Sequence, residues 1–351
     1  MAKYYDGTKL LNLLDINKEK PEIFISTSNR SAGKTTFFGK YLVDGFLKRG
    51  EKFILLYRYS YELTDIADKF FSDIRNLFFP EYVMTQKMQE KDTFASLRLH
   101  KVDSEEEVEC GYALSLNKAD NIKKCSHLLS DACVMLFDEF QSESNQYTSN
   151  EIQKFHSIHT SLARGNGKQV KYLPVIMISN FVSLLNPYYT ALRISGRLQE
   201  NTNYLRGEGW VLEQGFNETA SQAQKESAFN RAFGDTAYNK FSSEKFYLND
   251  NNTFIKKMPS KGKYLFSFVS DGKWYGVRWL PEQGFLYVNK SPDLTHPLKY
   301  ACEVSDMTSD TILFTPTDAK LMQLRFRFEQ GGFRFADLES KGATFVLLSY
   351  R

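Results

Sequence analysis

The stretch Ser28-Asn29-Arg30-Ser31-Ala32-Gly33-Lys34-Thr35 decides the fold of this 351-residue chain. It lies between a short β-prone run, Glu22-Ile23-Phe24-Ile25-Ser26, and a segment in which Phe37, Phe38, Tyr41, Leu42 and Phe46 recur at helical spacing. A phosphate-binding P-loop belongs at such a strand–loop–helix junction. There the backbone N–H groups and the helix N-terminus attract phosphate oxygens, Lys34 adds a point charge at the β- and γ-phosphates, and the Thr35 hydroxyl suits Mg²⁺. Asn29, Arg30, Ser31, Ala32, Gly33 and Thr36 complete the candidate nucleotide-binding set. The pattern G-x-x-x-x-G-K-[ST] is missed once, because Ser28 stands where its first glycine belongs. A looser turn or weaker nucleotide binding is the expectation.

Working outward, Gly50 supplies a helix stop, and Phe53-Ile54-Leu55-Leu56-Tyr57 within Lys52 to Arg58 is an apolar run of the kind buried on both faces of a parallel sheet. These pieces make a βαβ unit. A helix is expected from Tyr61 to Phe78, then weaker strands to about Asn117. Cys133-Val134-Met135-Leu136-Phe137 next forms a buried strand ending in Asp138-Glu139, which is the form of a Walker B segment. Asp138 can hold Mg²⁺ and Glu139 can polarise the water that attacks the γ-phosphate. Acidic pairs often merely end strands in solvent; the P-loop upstream favours the functional reading. A further strand, Val175-Ile176-Met177-Ile178, ends in Ser179-Asn180, candidates for sensing the γ-phosphate. Lys52 to Arg58, lying between the two motifs in sequence, is read as the inserted strand of an ASCE-type NTPase. Arg164 follows a helix spanning Asn150 to Ala163 and precedes the Gly-rich Gly165-Asn166-Gly167-Lys168, so it could reach a neighbouring subunit's phosphates. On residue chemistry alone a solvated helix-end cation is the better reading of Arg164. His156 and His159 lack accompanying ligands and read as surface or packing residues.

The domain plan is an α/β unit over 1–205 with a mainly parallel sheet, a partly helical linker over 206–245, and a second domain over 246–351. In that domain Tyr264 to Val269 and Trp274 to Trp279 alternate around Ser270-Asp271-Gly272-Lys273 as a hairpin, with a third strand from Phe285 to Val288 and helical material near Thr317 to Phe328. From Phe254 to Lys290 seven basic residues (Lys256, Lys257, Lys261, Lys263, Lys273, Arg278 and Lys290) face Asp271 and Glu282 alone, a local charge of +5 where the chain carries +3. Such a segment suits nucleic-acid phosphates, while a solvated face or one docked on an acidic protein is the plain alternative. With 42% apolar residues the chain is too hydrophobic for disorder. Its four cysteines show no C-x-x-C spacing, and no apolar run approaches the roughly 18 residues of a membrane helix. A soluble protein of a reducing cytoplasm is expected, with no membrane partner.

These residues resemble the DNA-encapsidation ATPases of phi29-like small tailed phages. The likeness runs through Asn29 to Thr35, Gly50-Glu51-Lys52-Phe53-Ile54, Arg58-Tyr59, Glu62-Leu63, Phe137-Asp138-Glu139-Phe140, Asn150-Glu151, Ser179-Asn180, Val182-Ser183 and Asn186-Pro187-Tyr188. It continues in Phe266-Ser267-Phe268, Gly276-Val277 and Gln283-Gly284. The resemblance implies an ATP- and Mg²⁺-dependent homo-oligomeric ring, usually a pentamer. Such a ring docks on the portal of a prohead in the host cytoplasm and drives double-stranded DNA inward; a structural packaging RNA is a further partner that the sequence leaves open. It makes Arg164 the trans-acting finger and assigns Lys124 a reach toward the neighbouring site; Arg30 would couple nucleotide state to movement. It also implies that the C-terminal domain is RNase H-like, a vestigial nuclease, and no cleavage activity is expected because the first hairpin strand carries no carboxylate. A helicase-like translocase and a non-catalytic assembly protein are the alternatives.

Overall fold

The computed structural model describes residues 4–348 except 145, 165–168, 185, 195–197, 199–201, 234–235, 237–253, 259–260 and 316–317. The chain divides into two compact units, Met1–Tyr188 with Leu198–Asn249, and Tyr189–Arg197 with Asp250–Arg351.

The first unit is built on a nine-stranded sheet. Its strands are β1 (Ile23–Ser28), β2 (Lys52–Tyr57), β3 (Tyr82–Gln89), β4 (Phe94–Lys101), β5 (Val108–Ser115), β6 (Ala132–Asp138), β7 (Val175–Asn180), β8 (Tyr204–Gly207) and β9 (Trp210–Gln214), in the spatial order β3-β4-β5-β2-β6-β7-β1-β9-β8. Six central strands, β5 to β9 in that order, run parallel; β3, β4 and β8 are antiparallel additions at the edges. Helices α1 (Thr8–Leu11), α2 (Lys34–Arg49), α3 (Ile66–Phe78), α4 (Ala119–Cys125), α5 (Glu151–Leu162), α7 (Glu218–Glu226) and α8 (Ala228–Phe233) accompany it, with the first two residues of α6 (Pro187–Ala191), the helix at which the first unit gives way to the second. Because side chains alternate along a strand, the sheet buries two apolar faces. On one, Phe53, Leu55, Leu136 and Ile178 pack with Phe38 and Leu42 of α2 and Phe70 and Ile74 of α3. On the other, Phe137 meets Phe155 of α5 and Tyr188 of α6 at ring separations of 6.0 and 5.6 Å. Gly50 ends α2 as expected, at φ 70°, with its N–H bonded to the Phe46 carbonyl at 2.8 Å.

Three expectations need correction. The strand inserted between the P-loop strand β1 and the Walker B strand β6 is β7, whereas β2 lies on the far side of β6. Order in sequence does not give order in space, since each crossover can land on either side of its predecessor. Residues 206–214, read as linker, are sheet: β9 pairs in parallel with β1, Ile23 opposite Trp210, and turns back into β8. Polar Glu213 and Gln214 hid this strand, yet both are buried. Of the helix expected over Tyr61 to Phe78, Ile66–Phe78 forms as α3, but its first turn is a separate 3₁₀ turn, Ser60–Leu63, broken from α3 at Thr64 and Asp65, the latter at φ 54°.

The second unit holds a six-stranded sheet ordered β14-β13-β10-β11-β12-β15, with β10 (Lys263–Ser270), β11 (Lys273–Leu280), β12 (Phe285–Asn289), β13 (Lys299–Ala301), β14 (Ile312–Leu313) and β15 (Phe333–Phe335). The antiparallel meander β10-β11-β12 turns at Asp271 and Gly272, both at positive φ (50° and 69°), the two-residue turn that matches strand twist. Strands β13 and β14 add in parallel to β10. The sheet thus combines an antiparallel meander with two strands added in parallel beyond β10, and β15 adds in parallel to β12 at the other edge. Helices α9 (Ala319–Glu329) and α10 (Leu338–Leu348) contribute Leu321, Leu324 and Leu347 to its core. Among the described residues no helix is long and apolar enough to cross a membrane.

Trp210 is 4% exposed on β9. Trp210→Ala is expected to lower unfolding stability by about 3–5 kcal/mol in urea titration, the cost of a vacated core aromatic; a linker tryptophan would change it by less than about 0.5 kcal/mol.

Candidate nucleotide site at the sheet edge

The parallel strands deliver their C-terminal ends to one edge. Ser28 of β1 is in register with Asn180 of β7, and Asp138 of β6 with Ile178 of β7. The P-loop follows β1 and turns through two left-handed residues, Ser31 at φ 61° and Gly33 at φ 96°. Gly33 adopts this at little cost, whereas a serine there costs about 1–2 kcal/mol. Ser31 is held by Gln224 of α7, whose amide donates to the hydroxyl at 3.0 Å. Asn29 and Asn217 exchange hydrogen bonds, side-chain N–H to the Asn217 carbonyl at 3.0 Å and Asn217 N–H to the Asn29 side chain at 2.8 Å. Ser28 uses the hydroxyl that a glycine lacks: it accepts from Lys34 Nζ at 2.7 Å. The serine in place of glycine therefore anchors the lysine. Tyr5 closes the loop's other side, its N–H bonded to the Ala32 carbonyl at 2.9 Å, and its hydroxyl joins Ser26 and buried Glu213.

Lys34 is buried and also lies 3.4 Å from the Asn180 side-chain oxygen. Burial pushes its ammonium down to about 8, opposed by the nearby Asp138 carboxylate. Thr35 donates its hydroxyl to Asp138 at 3.0 Å, and Asp138 also accepts the Glu139 N–H at 2.8 Å. Burial raises both carboxyls above the ordinary range; for Glu139 the charges of Asp138 and Glu143 add to it and Arg30 opposes. A hydroxyl and a desolvated carboxylate in contact form the oxygen donor set that Mg²⁺ uses in phosphate sites, where waters and substrate complete its shell. The residues therefore fit the ion.

Predicted residues converge unevenly. Lys34, Thr35, Asp138, Glu139 and Asn180 come together; Ser179 is buried with its hydroxyl bonded to the Asn180 carbonyl at 3.0 Å. Arg30 reaches Glu143 at 3.4 Å. Lys124, in the last turn of α4, and Arg164, just past α5, are exposed and make no ion pair among the described residues. The loop Gly165 to Lys168 lies outside the described residues. His159 bonds the Leu173 carbonyl at 2.8 Å, a packing role as read. In the second unit the basic segment is partly neutralised: Lys273 pairs with Glu339 at 2.6 Å, and Lys290 with Asp337 and Glu339. Arg278 is spent on Asn289 and the Ser291 carbonyl, over the Tyr264 ring. Lys256, Lys257, Lys261 and Lys263 are exposed. A charge count along the segment could not see acids that the fold returns from 337–339.

Sequence reading passed over Arg58 as a working residue. Its guanidinium lies 3.1 Å from both Glu151 carboxylate oxygens and donates to the carbonyls of Glu139 and Phe140 at 3.3 and 2.6 Å. Glu151 also accepts from the Tyr188 hydroxyl and the Thr148 N–H, each at 2.8 Å. The signals were a charge directly after a buried strand and the place of Arg58-Tyr59 and Asn150-Glu151 in the family likeness.

The whole chain has known relatives. Residues 2–350 match the model of the Podovirus DNA encapsidation protein (Gp16). The chain belongs to that family. It is 25% identical over 310 residues to the DNA packaging protein of Bacillus phage phi29, covering 87% of each, and 25% identical over 312 residues to that of Bacillus phage B103, covering 87% of this chain and 90% of the relative. Its fold is similar to a chain of the bacteriophage Phi-29 viral genome packaging motor assembly, with TM-score 0.66 and 20% identity over 99% of this chain and 98% of that one. The encapsidation protein is thus a phage DNA-packaging motor protein built on an α/β P-loop domain with a separate C-terminal domain.

The lowered ammonium predicts a pH effect. Without nucleotide Lys34 loses its proton near pH 8; bound phosphates hold the proton to higher pH. Binding then requires proton uptake, and ATP affinity is expected to be flat from pH 6.5 to 7.5 and to fall by up to about tenfold per unit above 8. Fluorescent-nucleotide titrations check this, and Lys34→Arg should remove the slope.

Proposed function

We propose that this encapsidation protein hydrolyses ATP in a subunit ring on the prohead portal and uses the cycle to drive double-stranded DNA inward. The observation that carries the reading is the convergence of Lys34, Thr35, Asp138 and Glu139 at one sheet edge, with Thr35 and Asp138 in contact at 3.0 Å. The P-loop amides and Lys34 hold the β- and γ-phosphates. Thr35 and Asp138 would hold Mg²⁺, which when bound offsets phosphate charge. Glu139, as carboxylate, takes a proton from water; the water oxygen bonds to the γ-phosphorus as the bond to the β-phosphate oxygen breaks, and ADP keeps that electron pair. Asn180, beside Lys34, is suited to register loss of the γ-phosphate. Exposed Arg164 supports a trans-acting role, completing the charge of a neighbour's transition state, and exposed Lys124 a supporting one. Ring size, pentameric by family likeness, and a packaging RNA belong to the same reading, as does a cytoplasmic location with transient residence at the portal.

DNA phosphates are assigned to Lys256, Lys257, Lys261 and Lys263, with Lys273 and Lys290 set aside because acids already neutralise them. No nuclease activity is proposed for the C-terminal unit; its strand β10 carries no carboxylate.

Phosphate release with double-stranded DNA tests the motor. Glu139→Gln should bind ATP with turnover reduced about 10²–10⁴-fold, and Arg164→Ala should bind normally with turnover reduced about 10³-fold or more. Mixing the two inactive variants should restore part of the activity, since some interfaces then pair an intact Glu139 with an intact Arg164; full turnover by Arg164→Ala alone sinks the trans role. For DNA, each alanine at Lys256, Lys257, Lys261 or Lys263 should flatten the slope of log affinity against log salt by about 0.9, and Lys273→Ala should leave it unchanged.

A further inference from the structure

Glu139 is a non-glycine residue at φ 52°, in the left-handed region. Such a conformation persists only where its surroundings hold it. Its N–H is taken by the Asp138 carboxylate at 2.8 Å, and the next N–H, of Phe140, by the Ile178 carbonyl at 3.3 Å. Both carbonyls of the same pair of residues are taken by one group, the Arg58 guanidinium, at 3.3 and 2.6 Å. That guanidinium is itself immobilised. Its Nε faces both oxygens of Glu151 at 3.1 Å, and its Cζ lies 5.0 Å from the Tyr147 ring centre. Glu151 is fixed in turn by Tyr188 and Thr148. Arg58 and Glu151 side chains are 8% and 2% exposed.

We infer that Arg58 is a positioning residue for Glu139: its planar fork, braced by Glu151 and Tyr188, holds the 139–140 peptide in the left-handed turn that aims the Glu139 carboxylate at the nucleotide site. The inference rests on the reading of Glu139 as the group that accepts the water proton. A fork is needed because the carboxylate and the two carbonyls are met by three separate nitrogens, Nε, Nη1 and Nη2, of one group; a lysine ammonium supplies charge without that geometry. Nucleotide binding lies with the P-loop, which Arg58 does not contact, so the inference separates binding from turnover. A clamp that only sealed the core would not.

The test uses the full chain with double-stranded DNA, ATP as substrate and a fluorescent ATP analogue for binding. Arg58→Lys is expected to lower kcat about 100-fold with KM and analogue affinity changed less than about threefold, and Tyr188→Phe to lower kcat several-fold in the same pattern. In a Glu139→Gln background Arg58→Lys should lower the residual rate by less than about twofold, since a residue acting through Glu139 has nothing left to position. Wild-type kcat in Arg58→Lys, a KM that rises in step with the loss, or the full 100-fold loss repeated in the Glu139→Gln background overturns the inference. If circular dichroism shows Arg58→Lys unfolded, Tyr188→Phe decides by the same kcat–KM split. Wild-type turnover by Glu139→Gln removes the underlying reading of Glu139, an outcome distinct from a normal Arg58→Lys beside an inactive Glu139→Gln.

Discussion

The site exists because three adjacent parallel strands end in step. With β7 between β1 and β6, Ser28 stands beside Asn180 and Asp138 beside Ile178. A slip of one residue would move Asp138 by about 3.3 Å along its strand and turn it to the opposite face. Its 3.0 Å contact with Thr35 would then be lost. What prevents the slip is burial: Leu136, Phe137, Ile176 and Met177 are nearly inaccessible, and each has one face where it fits. The chemistry of the edge is thus aligned by apolar residues that take no part in it.

Electrostatically the edge is built incomplete. Asp138 and Glu139 sit above their ordinary pKa range and Lys34 below its own, all three through desolvation. Under the proposed function a magnesium nucleotide would supply both signs of charge at once, relieving the carboxylates with the cation and the lysine with phosphate. The Arg58–Glu151 pair is the opposite case, a buried ion pair with its bonding capacity met within the protein. Such pairs add little net stability, yet losing one partner costs about 3–5 kcal/mol, so they favour one arrangement over its neighbours. Here that arrangement includes the turn at Glu139. Glu151 also begins α5, whose far end precedes Arg164. One helix of about 18 Å therefore joins the clamp on the Walker B turn to the exposed arginine.

Sequence alone settled the elements with strong local signatures. Apolar runs marked β1, β2, β6 and β7, helical periodicity with Gly50 marked α2, and Asp271-Gly272 marked the hairpin of the second unit. Lys34, Thr35, Asp138 and Glu139 stood out because phosphate chemistry would need those residue types at the ends of those elements, and the fold brings them to one edge. Tertiary structure decided the rest. Only folding showed that β7 rather than β2 separates the two motifs, that buried Glu213 and Gln214 belong to a sheet strand, and that Glu339 neutralises Lys273. The same holds for Arg58, whose partners are 81 to 93 residues away. The physical reason is common to all four. Backbone propensity and phosphate-binding turns act between near neighbours in the chain, whereas strand order and buried ion pairs are set by groups that become neighbours only when the sheet closes.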